Sequence, residues 1–390
     1  METIENSLLQ TKKFILVFVS AILLAFNFYF VYFINSSYVK SMVGENYVST
    51  LFAVGALINI FMFMRAPKIL AKYGNYRFAL YLALIDLLVL LGIVFTKNPI
   101  LSIILIMVNI ALGPLLFYTL DIFLEKISSV ANMGSVRGTY LTMLNIPPAI
   151  TPVIVGILLV NLEYWKVYLM SAIFLIPFLI ILVANFKDFE DPYYTTKPFG
   201  ASLRTLLRDP NLANIVKDNF ILHVFYAVMV MYMPIYLNTV IGFDWPEIGT
   251  MFSLMLLPFI LFQIPLGSIE DRNHDEKQIL VAGFLIISIS TIIMSFVTEK
   301  NFLLWTSLLF ISRIGASFVE VSCESYFFKH IRSKNASFVS IFRTTRALPY
   351  IVIPFFSYLV ISYLGISYMF LIVGIVLFCG GLRYTFELKQ

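Results

Sequence analysis

Five charged residues stand inside stretches otherwise built of lipid-compatible side chains: Arg313, Glu320 and Glu324 in one segment, Arg343 and Arg346 in the next. A charge near the centre of a bilayer costs about 2.5–3.5 kcal/mol on insertion scales, so such residues must face one another, water or a ligand. Arg313, Glu320 and Glu324 are seven and four residues apart, which sets them along one stripe of a helix. Arg343 and Arg346 fall ~10 and ~15 Å beyond the start of the following helix at a rise of about 1.5 Å per residue, a depth at which they can meet Glu320 and Glu324. Two chemistries fit this set. Desolvation raises a carboxylate's pKa and a nearby arginine lowers it, so a carboxylate balanced between the two can take up and release a proton. Alternatively, one of the arginines meets an anionic group of a ligand. A buried salt-bridge network with a structural role alone fits the same residues.

These residues need membrane-spanning helices to position them, and the composition supplies them. Of the 390 residues 60% are hydrophobic and 13% charged, against about a quarter charged in soluble domains. Twelve stretches reach the ~20 apolar residues that a spanning helix needs, the first at 13–35 and the last at 365–386. The first follows Lys12 and Lys13 and is too long and bulky for a cleaved signal peptide. Counted with the N-terminus inside, 20 of the 27 Lys and Arg residues fall in cytoplasmic segments and three inside helices; the outer loops hold only Lys40, Lys97, Lys166 and Lys300. Basic residues gather on the cytoplasmic side, so both termini are expected there. The long polar interval divides the chain into 1–186, a cytoplasmic linker at 187–213, and 214–390. Within it, Leu203 to Leu207 with Arg204 and Arg208 can form a short amphipathic helix.

The two halves echo each other. Gly113, Pro147 and Pro152 recur 202 residues later as Gly315, Pro349 and Pro354, and Asp121 falls one place from the position matching Glu324. Six helices repeated in parallel about an axis along the membrane normal is a known transporter plan. In the loop after the eighth stretch, Gly267-Ser-Ile-Glu-Asp271-Arg272 fits the pattern Gly-x-x-x-Asp-Arg; after the second, Pro67, Ala71 and Lys72 take the Gly, Asp and Arg places and only Gly74 and Arg77 look familiar. With this loop motif and repeat, the chain resembles the major facilitator superfamily over essentially its whole length.

The resemblance implies that Asp271 sits against the positive start of a helix from the opposite half. By the repeat this is the fifth helix, which begins with Arg137-Gly138, and such a carboxylate is worth about 0.3–1 kcal/mol. The first half lacks the matching carboxylate, so the two gates should be unequal. It further implies that Asn27 and Tyr29 on the first helix, and Asn219, His223, Tyr226 and Tyr232 on the seventh, line the substrate cavity. Pro147, Pro148 and Pro152, with Pro349 and Pro354 in the repeat, are expected to kink their helices; the first three weakly resemble the fifth-helix motif of drug/proton antiporters. Arg313-Ile-Gly315 is similar to the antiporter arginine motif in the repeat position. Both tilt the reading towards efflux. Asp121 joins the charged set as a coupling candidate.

Other classes find little support. Cys323 and Cys379 offer neither a disulfide framework nor a metal cluster. The sequence holds no nucleophile elbow, phosphate-binding loop, zinc spacing or basic nucleic-acid patch, and the inside bias accounts for the net charge of +5. The expectation is therefore an all-α integral membrane protein whose twelve transmembrane helices form two pseudo-symmetric six-helix bundles. It would be a monomer of the cell membrane, with a bacterial inner membrane the expected setting, and would need no cofactor, metal or nucleic acid. Its partners would be a small-molecule substrate, protons and the bilayer. The function read from this is secondary active transport of a small organic molecule by alternating access, proton-coupled and outward, and not enzymatic. Uptake of an organic anion or a lipid amphiphile by the same fold, or a membrane sensor that transports nothing, stay open.

Overall fold

A computed structural model describes the chain apart from residues 1, 33, 44–47, 160–162, 195–196, 274–275, 332–334 and 389–390. Among the described residues, twelve helices are long and apolar enough to cross a membrane. In the first half these are α1 (Thr11–Val39), α2 (Val54–Tyr73), α3 (Asn75–Phe95), α4 (Pro99–Ile127), α5 (Val130–Leu158) and α6 (Tyr164–Asn185). In the second they are α7 (Pro210–Ile241), α8 (Trp245–Asn273), α9 (Glu276–Met294), α10 (Phe302–His330), α11 (Ala336–Tyr363) and α12 (Ser367–Phe386). Helices satisfy their own backbone groups where lipid cannot, so apolar runs of this length fold no other way unless a barrel closes. Several starts are written locally. The side chains of Asn98, Asp209 and Asn301 each accept backbone N–H groups from the first turn of α4, α7 and α10, and a proline follows the first two.

The chain divides into two compact units. One comprises Met1–Ser128, Met143–Phe199 and Arg332–Thr344; the other comprises Ser129–Thr142, Gly200–Ile331 and Thr345–Gln390. The fifth helix of each half is thus shared: α5 gives its start to the second unit and α11 gives its start to the first.

Inside the first unit, polar side chains tie the helices together. Asn27 on α1 donates to the carbonyl and hydroxyl oxygens of Ser171 on α6, Asn59 on α2 donates to the Ala111 carbonyl of α4, and Asn109 on α4 donates to Asp86 of α3 at 2.7 Å. Such amide bonds are a common adhesive between helices in lipid. In the second unit, close backbone packing does similar work. A Cβ on Gly315 of α10 would stand 2.7 Å from the Gly283 carbonyl oxygen of α9, and one on Gly283 would stand 2.9 Å from that of Gly315.

The helix through Pro147, Pro148 and Pro152 is continuous from Met133 to Leu158, and Pro354 likewise lies within a continuous helix. The break falls at Leu348, after which Pro349 opens a new helical run to Tyr363. Between α6 and α7 the amphipathic linker helix forms at Phe199–Arg208, with Ser202 and Leu206 buried and Arg204 and Arg208 exposed. Ahead of it the exposed Asp191 accepts the Asn75 backbone N–H at the start of α3 (2.8 Å) and the Tyr194 hydroxyl (2.5 Å). Burial, and then the hydrogen bond to Asp191, push the Tyr194 hydroxyl above the ordinary tyrosine range. Gly74, at φ 78°, leaves room for this carboxylate, since a Cβ there would stand 2.3 Å from Asp191 Oδ2.

Candidate functional site

The start of α5 is gripped by the end of α8. Gly134 and Ser135 donate their backbone N–H groups to Asp271 Oδ1 and Oδ2 at 2.8 and 2.7 Å, so one carboxylate caps two of the groups that a helix start leaves open. Glycines permit the approach: a Cβ on Gly134 would lie 2.4 Å from the Gly267 carbonyl oxygen, and one on Gly138 would lie 2.2 Å from that of Gln263. Lys329, at the end of α10, bridges Asp271 (3.3 Å) and Glu276 (2.5 Å). Arg272 and Arg77 are exposed and take no part in this grip.

One turn further along α5, Arg137 is fully buried, with its guanidinium 3.2 Å from the centroid of the Phe328 ring and Nη1 3.7 Å from Glu324 Oε2. The other oxygen of Glu324 accepts from Arg346 Nη2 at 2.6 Å. Glu324 therefore stands between two arginines, from α5 and α11. Beside them Leu141 packs with Leu266, Ile279 and Val321.

The first unit holds a second pair. Arg343 donates through Nε and Nη2 to Asp121 Oδ2 and Oδ1 at 2.6 and 2.7 Å, a two-pronged bond in which Arg343 is 5% exposed and Asp121 fully buried. This corrects the placement of both cations against the α10 glutamates. Three residues on a helix are turned by about 60° and shifted by ~4.5 Å, so Arg346 reaches α10 while Arg343 points to α4. Two neighbouring contacts hold the same start of α11: the Tyr118 hydroxyl donates to the Ala336 carbonyl at 3.0 Å, and the Ser340 hydroxyl donates to that of Phe63.

Glu320 accepts from the Gln263 side chain at 3.0 Å. Arg313 lies two turns earlier on α10, 3% exposed, with the rings of Phe225 and Tyr226 at 4.8 and 5.7 Å. Its Nη1 has no hydrogen-bond partner. Of the residues expected to line a cavity, Asn219 donates to Thr345 at 2.6 Å, the His223 ring hydrogen-bonds the Asn219 carbonyl, and Tyr226 meets the His223 ring edge-on at 5.4 Å. Of these, Tyr226 lies against Arg313. Tyr232 bonds Ser357, Tyr29 packs its ring against Phe28 and Tyr32, and Asn27 is taken up by Ser171.

Sequence reasoning passed over Gln263, Lys329, Asp218 and Glu270. The latter two are buried acids, held by the hydroxyls of Thr385 and Ser322. Asp218 stands next to Lys217 and Glu270 next to Asp271 in the sequence, so neither is a lone carboxylate in an apolar run.

The architecture is that of a twelve-span helical membrane protein. A family model described as Major Facilitator Superfamily matches residues 220–389, and the whole chain has that superfamily's fold. A crystal structure of the human organic anion transporter MFSD10 (TETRAN) matches with a TM-score of 0.79 at 12% identity, covering 97% of this chain and 99% of that one. A bacterial homologue of the iron transporter ferroportin, in an outward-facing state, matches with a TM-score of 0.77 at 11% identity over 96% of this chain and 98% of its own. The major facilitator transporter FucP, in the outward conformation, gives 0.77 at 13% identity over 97% and 100%. No curated protein matches by sequence. The likeness read from the loop motif and the repeat therefore stands, with no subfamily identified.

Proposed function

We propose that the protein is a secondary active transporter that carries a small organic molecule across the cell membrane by alternating access, coupled to protons and directed outward, as a monomer with both termini cytoplasmic. One observation carries the coupling: each half presents a buried carboxylate on its fourth helix to an arginine on the fifth helix of the other half, Asp121 to Arg343 and Glu324 to Arg137. Contacts of this kind have to part and re-form if the two halves alternate, and protonating the carboxylate removes its attraction for the arginine. The Lys and Arg bias supports the orientation, and the efflux direction rests on the antiporter-like residues around Arg313 and Pro147.

Compounds that stabilise the purified protein in a thermal screen of a metabolite library supply candidates for flux into proteoliposomes. Accumulation should require an imposed pH gradient, and Asp121→Asn should abolish it while leaving exchange of internal for external compound intact. Accumulation that ignores the gradient would remove proton coupling, and no flux of any stabilising compound would remove transport. In cells, a cysteine replacing Tyr193 in the linker should label from the cytoplasmic side alone; labelling from outside overturns the orientation.

A further inference from the structure

Arg313 is the buried cation that the pairs above leave out. None of the ion pairs among the described residues includes it, and Nη1 ends without a hydrogen-bond acceptor. The acids on the helices around it are engaged elsewhere: Glu320 with Gln263, Glu324 with Arg137 and Arg346, Asp218 with Thr385. A guanidinium stays charged in a protein, and ring faces replace only part of the hydration it has lost. The hydroxyl of Tyr226, whose ring lies against it, also lacks a partner, although it is buried. Two unsatisfied polar atoms in one cluster on α7 and α10, Arg313 Nη1 and the Tyr226 hydroxyl, form a site that is complete only with something added.

We propose that Arg313 seats the carboxylate of a monoanionic organic substrate whose apolar or aromatic body lies against Phe225 and Tyr226, an inference that rests on the transport reading for its purpose. The guanidinium is a planar fork matched to a planar carboxylate. It carries one charge, so a monoanion is neutralised where a phosphate dianion would bury a surplus. The Tyr226 hydroxyl can donate a further hydrogen bond to the bound anion. The two rings that cover the cation favour a flat or apolar body over a sugar.

The test uses the full-length protein in detergent, with thermal unfolding followed in benzoate and 1-naphthoate, in the matched neutral amides, and in inorganic phosphate. The carboxylates should raise the unfolding midpoint in a saturable way, the larger naphthoate at lower concentration, while the amides and phosphate leave it unmoved. Arg313→Gln should lose the response, and Arg313→Lys, which keeps the charge without the fork, should need at least about tenfold more ligand. Arg313→Met guards against misfolding: removing an uncompensated buried cation should leave the ligand-free midpoint at or above wild type. Equal stabilisation by amide or phosphate, a response that survives Arg313→Gln, or a lower ligand-free midpoint in Arg313→Met overturns the assignment. Gradient-driven flux of other compounds without carboxylate binding would sink this inference and leave the transport reading standing; Arg313-dependent binding without flux would do the reverse.

Discussion

The starts of α5 and α11 occupy matching places in the two halves, yet they are fastened by different means. At α5 the fastening is spread over backbone, shape and charge: Gly134, Gly138 and Gly267 admit close contact, Asp271 caps two N–H groups, Arg137 meets Glu324, and Leu141 fills an apolar cluster. At α11 the loop that should supply a carboxylate has Ala71 instead, and the hold falls to the Tyr118 and Ser340 hydroxyls and the Asp121–Arg343 pair. The repeat sets Leu141 where the other half has Arg343, so the ion pair has no counterpart in register. A grip made of many small contacts loosens gradually when one is removed. A grip concentrated in one buried pair can be released by one proton.

The comparison breaks most visibly at Asp121. Asp121→Ala leaves Arg343 buried without its partner, and losses of that kind run to about 3–5 kcal/mol. The expected result is a much lower melting temperature and poor yield in detergent. Asp121→Leu combined with Arg343→Met should restore the melting temperature, because an apolar pair of similar size tolerates the site. It should not restore gradient-driven transport if the pair carries the coupling. A single mutant that melts with the wild type would show that the pair holds nothing.

Much of this arrangement is legible in the amino-acid sequence. Apolar length fixed the spans closely, as at α12, where the stretch read as 365–386 is helical from Ser367 to Phe386. The Gly-x-x-x-Asp pattern at the end of α8 marked Asp271 because its chemistry is local, a carboxylate at a fixed offset from a glycine. The partner of Arg343 was hidden because Asp121 lies 222 residues away, and neither depth nor periodicity says which helix of the other half stands opposite. Gln263 was hidden for a related reason: an amide in an apolar run looks like any polar contact until Glu320 is seen beside it.

A smaller effect is expected at Asp271. Asp271→Asn keeps one acceptor for the helix start and leaves Lys329 with Glu276, so a cost of about 0.5–2 kcal/mol is expected, in the range of a lost cap. The melting temperature should fall slightly. What should change is how often α5 leaves α8, and a cysteine replacing Ser268 reports it, since that hydroxyl lies 3.5 Å from the Ser135 hydroxyl. In a background lacking Cys323 and Cys379, labelling at 268 should speed up several-fold. An unchanged rate would make Asp271 an ordinary loop residue and the two fastenings alike.

The smallest effect separates a cap that grips a shared helix from one that does not. Asp191 also caps a helix start, but α3 lies wholly within one unit, so Asp191→Asn should cost about 0.3–1 kcal/mol and leave labelling at Ser268→Cys unchanged. Tyr194 adds a pH signature to this site. Its hydroxyl is held above the ordinary range first by burial and only then by Asp191, so the fold favours the protonated form. That contribution is complete below the unfolded value of about 10 and is lost as the pH climbs beyond it. Tyr194→Phe should therefore cost about 0.5–1.5 kcal/mol near neutral pH and flatten the alkaline fall in melting temperature, whereas Asp191→Asn should keep most of that fall because burial remains. If Asp191→Asn instead accelerates labelling at 268, capping as such governs the movement of α5, and the contrast between the two fastenings loses its physical basis.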